Sequence, residues 1–464
     1  MSFVSVAFFV FFALVLMSQC LLRGARARHV ALLLASYVFY GWWDWRFCFL
    51  MLFLTAAAYL AGLGLERRPK SRAILAAGVG VPLAVLFVFK YLNFFLDSFR
   101  AVFGLGGGAL SIILPVGISF YTFQSLSYTI DMYRGKLPAC RDPVKFSLYI
   151  AFFPQLVAGP IVKASEFLPQ LEEDRRPTPE RVFRGMTEFF FGMFKKAVLA
   201  DNIAVFADAV FGAVGAYSSG TVALSVVGYA MQIYFDFSGY SDMATGAARC
   251  LGYDLPVNFN LPYLSRNVSE FWKRWHISLS SWLQQYLYIP LGGNRRGTGR
   301  TYLNLMLTMV LGGLWHGADW SFVLWGAAHG LALCVHRAFS RRFPAKSGPW
   351  RRAGATALTA VFAAAMWVPF RAENLSHALK IYRKLLVWTP GVHALGVWVV
   401  VGAVAMAAFM LYKLWKRRPG EPLEGSAPAL LQGSFFGTLA LTLLIGLTLV
   451  LMYTGDNPFI YFQF

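Results

Sequence analysis

The hydrophobic positions of this chain fall in long runs that short polar stretches separate, a pattern typical of helices that cross a bilayer. A crossing helix needs about 20 mostly apolar residues, and we predict roughly ten or more segments long enough to enter a membrane. The predicted spans and helical segments are about 3–22, 28–44, 46–65, 73–95, 109–133, 183–212, 219–250, 302–315, 319–336, 353–370, 395–413 and 430–453.

One apolar stretch, 144–162, is interrupted by Pro154, Gly159 and Pro160. Proline removes a backbone donor and glycine weakens a helix. Interrupted backbone at membrane depth is tolerated only where protein or a water-filled cavity covers it. We therefore predict a re-entrant or cavity-lining segment here.

The stretch 258–300 is amphipathic rather than long and apolar. If its central part were one helix, Trp272, Trp275, His276 and Leu279 would share a face. We therefore expect this stretch to lie along the other helices rather than to span the membrane.

Composition agrees with the pattern, because 58% of the residues are hydrophobic and only 14% are charged. Soluble domains are about a quarter charged. We predict an all-α, polytopic membrane protein with a single membrane-embedded domain, 1–464.

The net charge of +20 arises from basic clusters between apolar runs, including Arg337 to Arg352 and Lys413 to Arg418. Cytoplasmic loops of membrane proteins carry such clusters, so we attribute the charge chiefly to topology, with phosphate binding as a secondary role. We expect no nucleic acid partner. The first apolar run precedes its arginines, the reverse of the order in a signal peptide. We expect it to be a retained helix that contacts membrane lipids.

Several kinds of chemistry are disfavoured by what the sequence lacks. The five cysteines lie far apart without paired spacing, so we predict neither a disulfide framework nor a zinc site. The HExxH, P-loop, GxSxG and GxGxxG patterns are absent, which argues against nucleotide hydrolysis and serine-hydrolase chemistry.

His316 is a candidate for chemistry because it follows a short apolar segment. A helix over 302–315 would cover only ~21 Å, less than the ~30 Å hydrocarbon core. We therefore expect His316, in a glycine-rich turn, to lie within the membrane, where ionisable groups are functional candidates. A hydrogen-bonded structural histidine is the alternative, and the same two interpretations apply to His276 and His329.

Asp236 and Asp242 lie in an apolar helical segment. They suit an ion path, a metal site or structural pairing with arginines such as Arg266 and Arg274. We favour the structural pairing.

The loop 292–297 is rich in glycine and contains Asn294, Arg295 and Arg296. Its backbone N–H groups and arginines suit the phosphates of a nucleotide-like ligand. An ordinary basic cytoplasmic loop remains the alternative.

Longer strings give a more specific signal than single residues. These are LPVGISFYTFQSLSYTIDMYRG (114–135), FFPQLVAGPI (152–161), FDFSGYSDMA (235–244), EFWKRWHISLSSWLQQYLYIPLGGNRRG (270–297), LGGLWHGADW (311–320), FRAENL (370–375) and the ending FIYFQF (459–464). In this order they resemble the membrane-bound O-acyltransferase family, and within it the alginate O-acetyltransferase branch.

The resemblance implies a ring of tilted helices around a central tunnel, with re-entrant segments, in the bacterial inner membrane. It implies N-terminal spans in 1–110, the catalytic core in 111–340 and C-terminal spans in 341–464. It implies His316 as the catalytic residue and His276 as a second active-site histidine. It also implies acetyl-coenzyme A as acyl donor and no metal. The residues expected to contact the donor are Trp272, Trp275, Asn294, Arg295, Arg296 and Trp315.

The resemblance further implies transfer of an acetyl group from the cytoplasm to a hydroxyl of an extracytoplasmic acetyltransferase partner. That partner would acetylate a polysaccharide such as alginate, cellulose or another exopolysaccharide. Peptidoglycan O-acetylation and D-alanyl transfer are alternatives on the same fold. A transporter that uses Asp236 and Asp242, or a non-catalytic scaffold, would be proteins of a different class.

Overall fold

The computed structural model describes residues 1–343, 348–416, 435–455, 457 and 459–460. In these residues the secondary structure is helical, apart from one isolated bridge between Tyr217 and Val392. The predicted all-α class is confirmed. Parts of the predicted basic clusters (344–347 and 417–418) and most of the final string (461–464) lie outside the described residues.

The chain divides into two compact units. The first comprises Met1–Phe189 and Met243–Pro256, and the second comprises Phe190–Asp242 and Val257–Phe464. The boundary between them falls within two helices, so each of these helices contributes to both units.

Helices that begin in the first unit are α1 (Val6–Leu21), α2 (Ala25–Asp44), α3 (Arg46–Arg67), α4 (Arg72–Leu86), α5 (Leu92–Phe103), α6 (Ile118–Tyr133), α7 (Pro143–Ala151), α8 (Phe153–Leu156), α9 (Ala164–Glu172) and α10 (Pro179–Met193). Helices that begin in the second are α11 (Asp201–Gly212), α12 (Ser219–Cys250), α13 (Val268–Trp272), α14 (Ile277–Leu283), α15 (Gly297–His316), α16 (Trp320–Arg342), α17 (Pro349–Arg371), α18 (Leu375–Leu386), α19 (Val397–Lys416) and α20 (Phe435–Leu451). Single π-helical turns occupy Phe87–Tyr91, Phe194–Ala200 and Gln284–Tyr288.

Five helices of the described chain are long and apolar enough to cross a membrane. They are α3, the continuous helix Arg72–Phe103, α16, α17 and a stretch of α19. Val6–Leu21 and Gly437–Leu451 are apolar but shorter. The predicted multi-pass character is confirmed, although these five are fewer than the ten or more apolar segments counted from the sequence.

The fifth predicted span, 109–133, is wrong in its first half. Residues 104–117 form no helix, and α6 begins only at Ile118. Pro115 disfavours helical backbone in the residue before it, and Gly117 has a left-handed φ of 77°. Almost every side chain of α6 is buried, so its helix is packed against protein rather than lipid.

The predicted interruption of 144–162 is present. Here α7 ends at Ala151, and only the four-residue α8 follows before the chain becomes irregular. Every residue from Leu148 to Val162 is buried. Protein therefore covers the irregular backbone, as its polar groups require.

Candidate active site

The helical hairpin of α15 and α16, in the second unit, positions His316 at the end of its first helix. This helix has 20 residues, Gly297–His316, which corresponds to ~30 Å. The expectation of a short helix over 302–315 is therefore wrong, because the polar stretch 297–300 is also helical. Packing accounts for the burial of His316, whose exposed fraction is only 4%.

Close backbone contact between the two helices depends on Gly313. A Cβ atom at this position would lie 2.2 Å from the carbonyl oxygen of Phe322. A side chain at this position would therefore prevent the close approach of the two backbones. The second helix begins at Trp320, and Asp319 caps it by accepting the N–H of Ser321 at 2.7 Å.

Aromatic rings surround His316. The distances between ring centroids are 5.0 Å to Trp315, 5.2 Å to Trp325 and 5.3 Å to Phe370. The ring of His276 lies 6.4 Å away. The two candidate histidines are thus neighbours in space, although 40 positions separate them in the sequence.

The chain does not continue as a helix through His276. One short helix, α13, ends at Trp272, and α14 begins at Ile277. His276 between them has a left-handed φ of 44°. Two backbone hydrogen bonds hold this break, from Ile277 N to Asn258 O and from Asn260 N to Arg274 O, both 2.9 Å.

The predicted common face of Trp272, Trp275, His276 and Leu279 is therefore wrong. The helical spacing on which it depends is lost at the break. Trp275 stacks on Phe271 with ring centroids 5.6 Å apart, whereas Trp272 and Leu279 line a cavity.

A hydrogen-bond network holds the buried ring of His276. Asn258 Oδ1 accepts the backbone N–H of Ser278 at 3.2 Å and its hydroxyl at 2.9 Å. The same oxygen lies 3.1 Å from Nδ1 of His276. Because a carbonyl oxygen only accepts, Nδ1 of His276 must be the donor. Asn258 thus selects the tautomer of His276.

The cavity beside His316 has a volume of about 390 Å³. Leu305, Thr308, Met309, Gly312 and His316 line it at the spacing of one helical face,. From Leu305 to His316 this face extends ~16 Å. Other lining residues are Trp272, Lys273, Leu279, Leu283, Tyr288, Asn294, Trp325, Leu333 and Arg337.

Three of the predicted site residues line this cavity: His316, Trp272 and Asn294. His276, Trp275 and Trp315 are buried and are not among its lining residues. Arg295 and Arg296 are exposed and do not line it either.

Lys273, Tyr288 and Arg337 line the cavity but were not predicted as site residues. Arg337 belongs to a basic cluster that we assigned chiefly to topology. Asn258, which holds His276, was also missed, and its isolated position in the sequence offers no signal.

The structure pairs Asp236 and Asp242 with lysines rather than arginines. Lys196 Nζ lies 2.6 Å from Asp236 and 2.7 Å from Asp201, while Lys195 pairs with Asp242. The predicted structural pairing is confirmed. The predicted partners, Arg266 and Arg274, are wrong: both pair with Glu270.

The two lysines are distant from the aspartates in sequence but close to them in space. Both lysines lie in the π-helical turn Phe194–Ala200. Both lysine side chains are buried, and buried charges require partners. Within the described chain, no three His, Cys, Asp or Glu residues are grouped so as to hold a metal ion.

Comparisons with known proteins give the family. Residues 141–372 match the membrane-bound O-acyltransferase family. "Probable alginate O-acetylase AlgI" of Pseudomonas putida is 39% identical over all of both chains. The protein of the same name in Azotobacter vinelandii is 46% identical over 78% of this chain and 73% of its own.

The "Peptidoglycan O-acetyltransferase" of Helicobacter pylori is 38% identical over 76% of this chain and 73% of its own. Relatives whose names state different acceptors, alginate and peptidoglycan, thus align with most of this chain. These matches lead to one conclusion: the chain belongs to the membrane-bound O-acyltransferase family, and it is a multi-pass membrane enzyme that transfers acyl groups to oxygen.

Proposed function

We propose that this enzyme transfers an acetyl group from cytoplasmic acetyl-coenzyme A to a hydroxyl on an extracytoplasmic acetyltransferase partner, for O-acetylation of a polysaccharide. The bacterial inner membrane is its proposed location. The observation that carries the proposal is the cavity of about 390 Å³ that has His316 in its wall.

The shape and charge of the cavity suit a coenzyme A thioester. Its volume falls within the range of about 300–1,000 Å³ that is usual for small-molecule sites. Lys273 and Arg337 in the cavity wall supply positive charge for phosphates, and Leu279, Leu283, Leu305 and Leu333 supply apolar surface. Arg295 and Arg296, exposed on the adjacent loop, would add charge at the cavity mouth.

Orientation in the membrane follows from the same hairpin. Asn294 precedes α15, and Arg337 lies near the end of α16, so both lie at the open end of the hairpin. This end also carries Arg341 and Arg342. Basic residues concentrate on the cytoplasmic side, which supports entry of the donor from the cytoplasm.

In the proposed reaction, neutral His316 takes the proton from the acceptor hydroxyl. The acceptor oxygen attacks the thioester carbonyl carbon, the C–S bond breaks, and the imidazolium returns the proton to the departing thiolate. A general base of this kind contributes about 10²–10⁴-fold to the rate.

We assign to His276 the orientation of the groups around the reacting carbonyl. Its ring packs 5.9 Å from Trp315 and 6.4 Å from His316, and Asn258 fixes its tautomer. Trp275 and Trp315 support this arrangement from behind the cavity wall, whereas Trp272 would contact the donor.

Acyl transfer tests the proposal directly. Purified protein is reconstituted with labelled acetyl-coenzyme A and a hydroxyl-bearing extracytoplasmic partner, at matched amounts of wild type and His316→Ala. We expect the variant to lose transfer about 10²–10⁴-fold. His377→Ala is the control, because its side chain bonds Phe211 O at 3.0 Å and does not line this cavity.

Equal transfer by His316→Ala and wild type would remove His316 as the base and favour a scaffold that only recruits the partner. Ion flux without acyl transfer would favour a transporter. Among acceptors, the names of the relatives favour alginate. Cellulose or another exopolysaccharide is a further candidate that the family resemblance alone implies. Peptidoglycan O-acetylation and D-alanyl transfer are second candidates, which the names of other relatives suggest. Offering each acceptor system separately discriminates among them.

A further inference from the structure

A third buried histidine, His329, lies close to the cavity without lining it. It is 1% exposed and follows Trp325 by one helical turn on α16. Its ring centroid is 4.7 Å from that of Trp325 and 5.2 Å from that of Phe362. The reaction proposed above assigns it no role.

The polar contact of His329 is with a residue of the cavity wall. Trp272 Nε1–H donates a hydrogen bond of 3.3 Å to Nδ1 of His329. An indole N–H only donates, so this ring nitrogen must be unprotonated. The hydrogen bond directs the polar edge of Trp272 towards the protein, which lets its ring carbons face the cavity.

Trp272 needs this support because of its place in the chain. It is the last residue of the five-residue α13, so its backbone is held by only one short helical turn. Its ring meets that of Trp325 at 77°, with centroids 5.6 Å apart, and Trp325 in turn packs against His316.

We propose that His329 is a positioning residue: it holds the Trp272 indole as a fixed wall of the acyl cavity and thereby restricts the enzyme to short acyl thioesters. This role rests on the proposed function. Without the acceptor at His329, the half-buried indole N–H loses its partner within the protein, which costs free energy. The indole then rotates and leaves space for longer acyl chains near His316.

The test compares kcat/KM for acetyl- and butyryl-coenzyme A. For His329→Phe we expect the preference for acetyl over butyryl to fall about tenfold, the lower end of the effect of small changes in apolar pockets. His329→Asn places an oxygen acceptor near the position of Nδ1, and we expect it to keep the preference within about threefold of wild type. A purely structural role would not produce this rescue.

A double-mutant cycle tests whether His329 acts through Trp272. If His329 acts through Trp272, then Trp272→Phe should lower the preference by a similar factor. Adding His329→Phe to Trp272→Phe should change it little further, because the interaction is already lost. His336→Phe, on the same helix, is the control, since its ring bonds Ser340 and does not line the cavity.

An active His329→Phe protein that keeps the wild-type preference would overturn the role of His329 but not the proposed function. Independent losses in the double variant would overturn it too. If His329→Phe fails to fold, the preference of Trp272→Phe decides, because the proposal requires it to fall. A wild type that transfers no acyl group at all would overturn the proposed function, and the role of His329 with it.

Discussion

Two clusters of buried polar residues in the second unit contrast in how their side chains are stabilised. One contains Lys195, Lys196, Asp201, Asp236 and Asp242, which are neutralised by ion pairs such as Lys196–Asp236 at 2.6 Å. The other contains His276, His316 and His329, whose rings pack among aromatic rings.

Only the histidine cluster adjoins the cavity, through His316. In the ion-pair cluster, each lysine has a carboxylate partner within the protein. Breaking a buried ion pair is costly because one charge remains without its partner. We infer that the ion-pair cluster serves the fold and that the histidine cluster serves the reaction. Burial alone would not have distinguished the two clusters, because both consist of buried polar side chains.

The largest effect should come from breaking the pair of Lys195 and Asp242. Lys195→Met leaves the buried Asp242 carboxylate without its cation, and we expect a loss of about 3–5 kcal/mol in the free energy of unfolding. Thermal unfolding in detergent, followed by intrinsic fluorescence, measures this loss. The molecules that remain folded should keep their transfer rate.

The double variant Lys195→Met/Asp242→Leu is the matched control, because replacing both charges by apolar groups is often neutral. We expect it to recover most of the lost stability. A Lys195→Met protein that is as stable as wild type but transfers no acetyl group would break the comparison, since the charge would then take part in the chemistry.

The sequence predicted best those elements whose boundaries depend on local pattern. The segments 46–65 and 219–250 correspond closely to α3 and α12, because each apolar run ends where polar or turn-forming residues begin. The start of α15 was missed because Gly297 to Arg300 show no apolar periodicity. Hydrogen bonding rather than hydrophobicity extends the helix here, and the hydroxyl of Thr301 also donates to the carbonyl oxygen of Gly297 at 2.8 Å.

The sequence pattern could not predict features that depend on contacts between residues far apart in the chain. The break at His276 is held by hydrogen bonds to Asn258 and Asn260, which no periodicity reveals. The partners of Asp236 and Asp242 lie on another helix. The sequence pattern made His316 and His276 candidates and the family resemblance gave them roles, but their neighbouring positions and the cavity emerged only from the fold.

A smaller effect is expected when the hydrogen bond that orients His276 in the histidine cluster is removed. Asn258→Ala removes the acceptor that fixes His276, and leaving a buried donor unsatisfied costs about 1–3 kcal/mol. If that cost raises the activation free energy of acyl transfer, the transfer rate should drop about ten- to hundredfold. Labelled-acetyl transfer and thermal unfolding, measured on the same preparation, separate the two consequences.

Asn258→Asp is the control for this change, because it retains an oxygen acceptor for His276 and Ser278. We expect it to be more active than Asn258→Ala. Equal activity of Asn258→Ala and wild type would mean that the orientation of His276 does not depend on this contact.

The smallest effect should come from adding one methyl group to the cavity wall. A Cβ atom at Gly312 would lie 3.1 Å from Cδ1 of Leu283, a side chain that can shift. Alanine favours the helix over glycine by about 1 kcal/mol, so we expect stability to be kept or raised. Because Gly312 and His316 are one turn apart on the lining face, KM for the donor should rise more than kcat falls.

Gly299→Ala separates the two contributions. It lies on the same helix, and a Cβ atom there would meet nothing within 4 Å, so it gains helix stability without entering the cavity. Steady-state kinetics of both variants should show a raised KM only for Gly312→Ala. If both variants have the wild-type KM, the donor does not occupy this part of the cavity, and the contrast between the histidine and ion-pair clusters would lose its chemical basis.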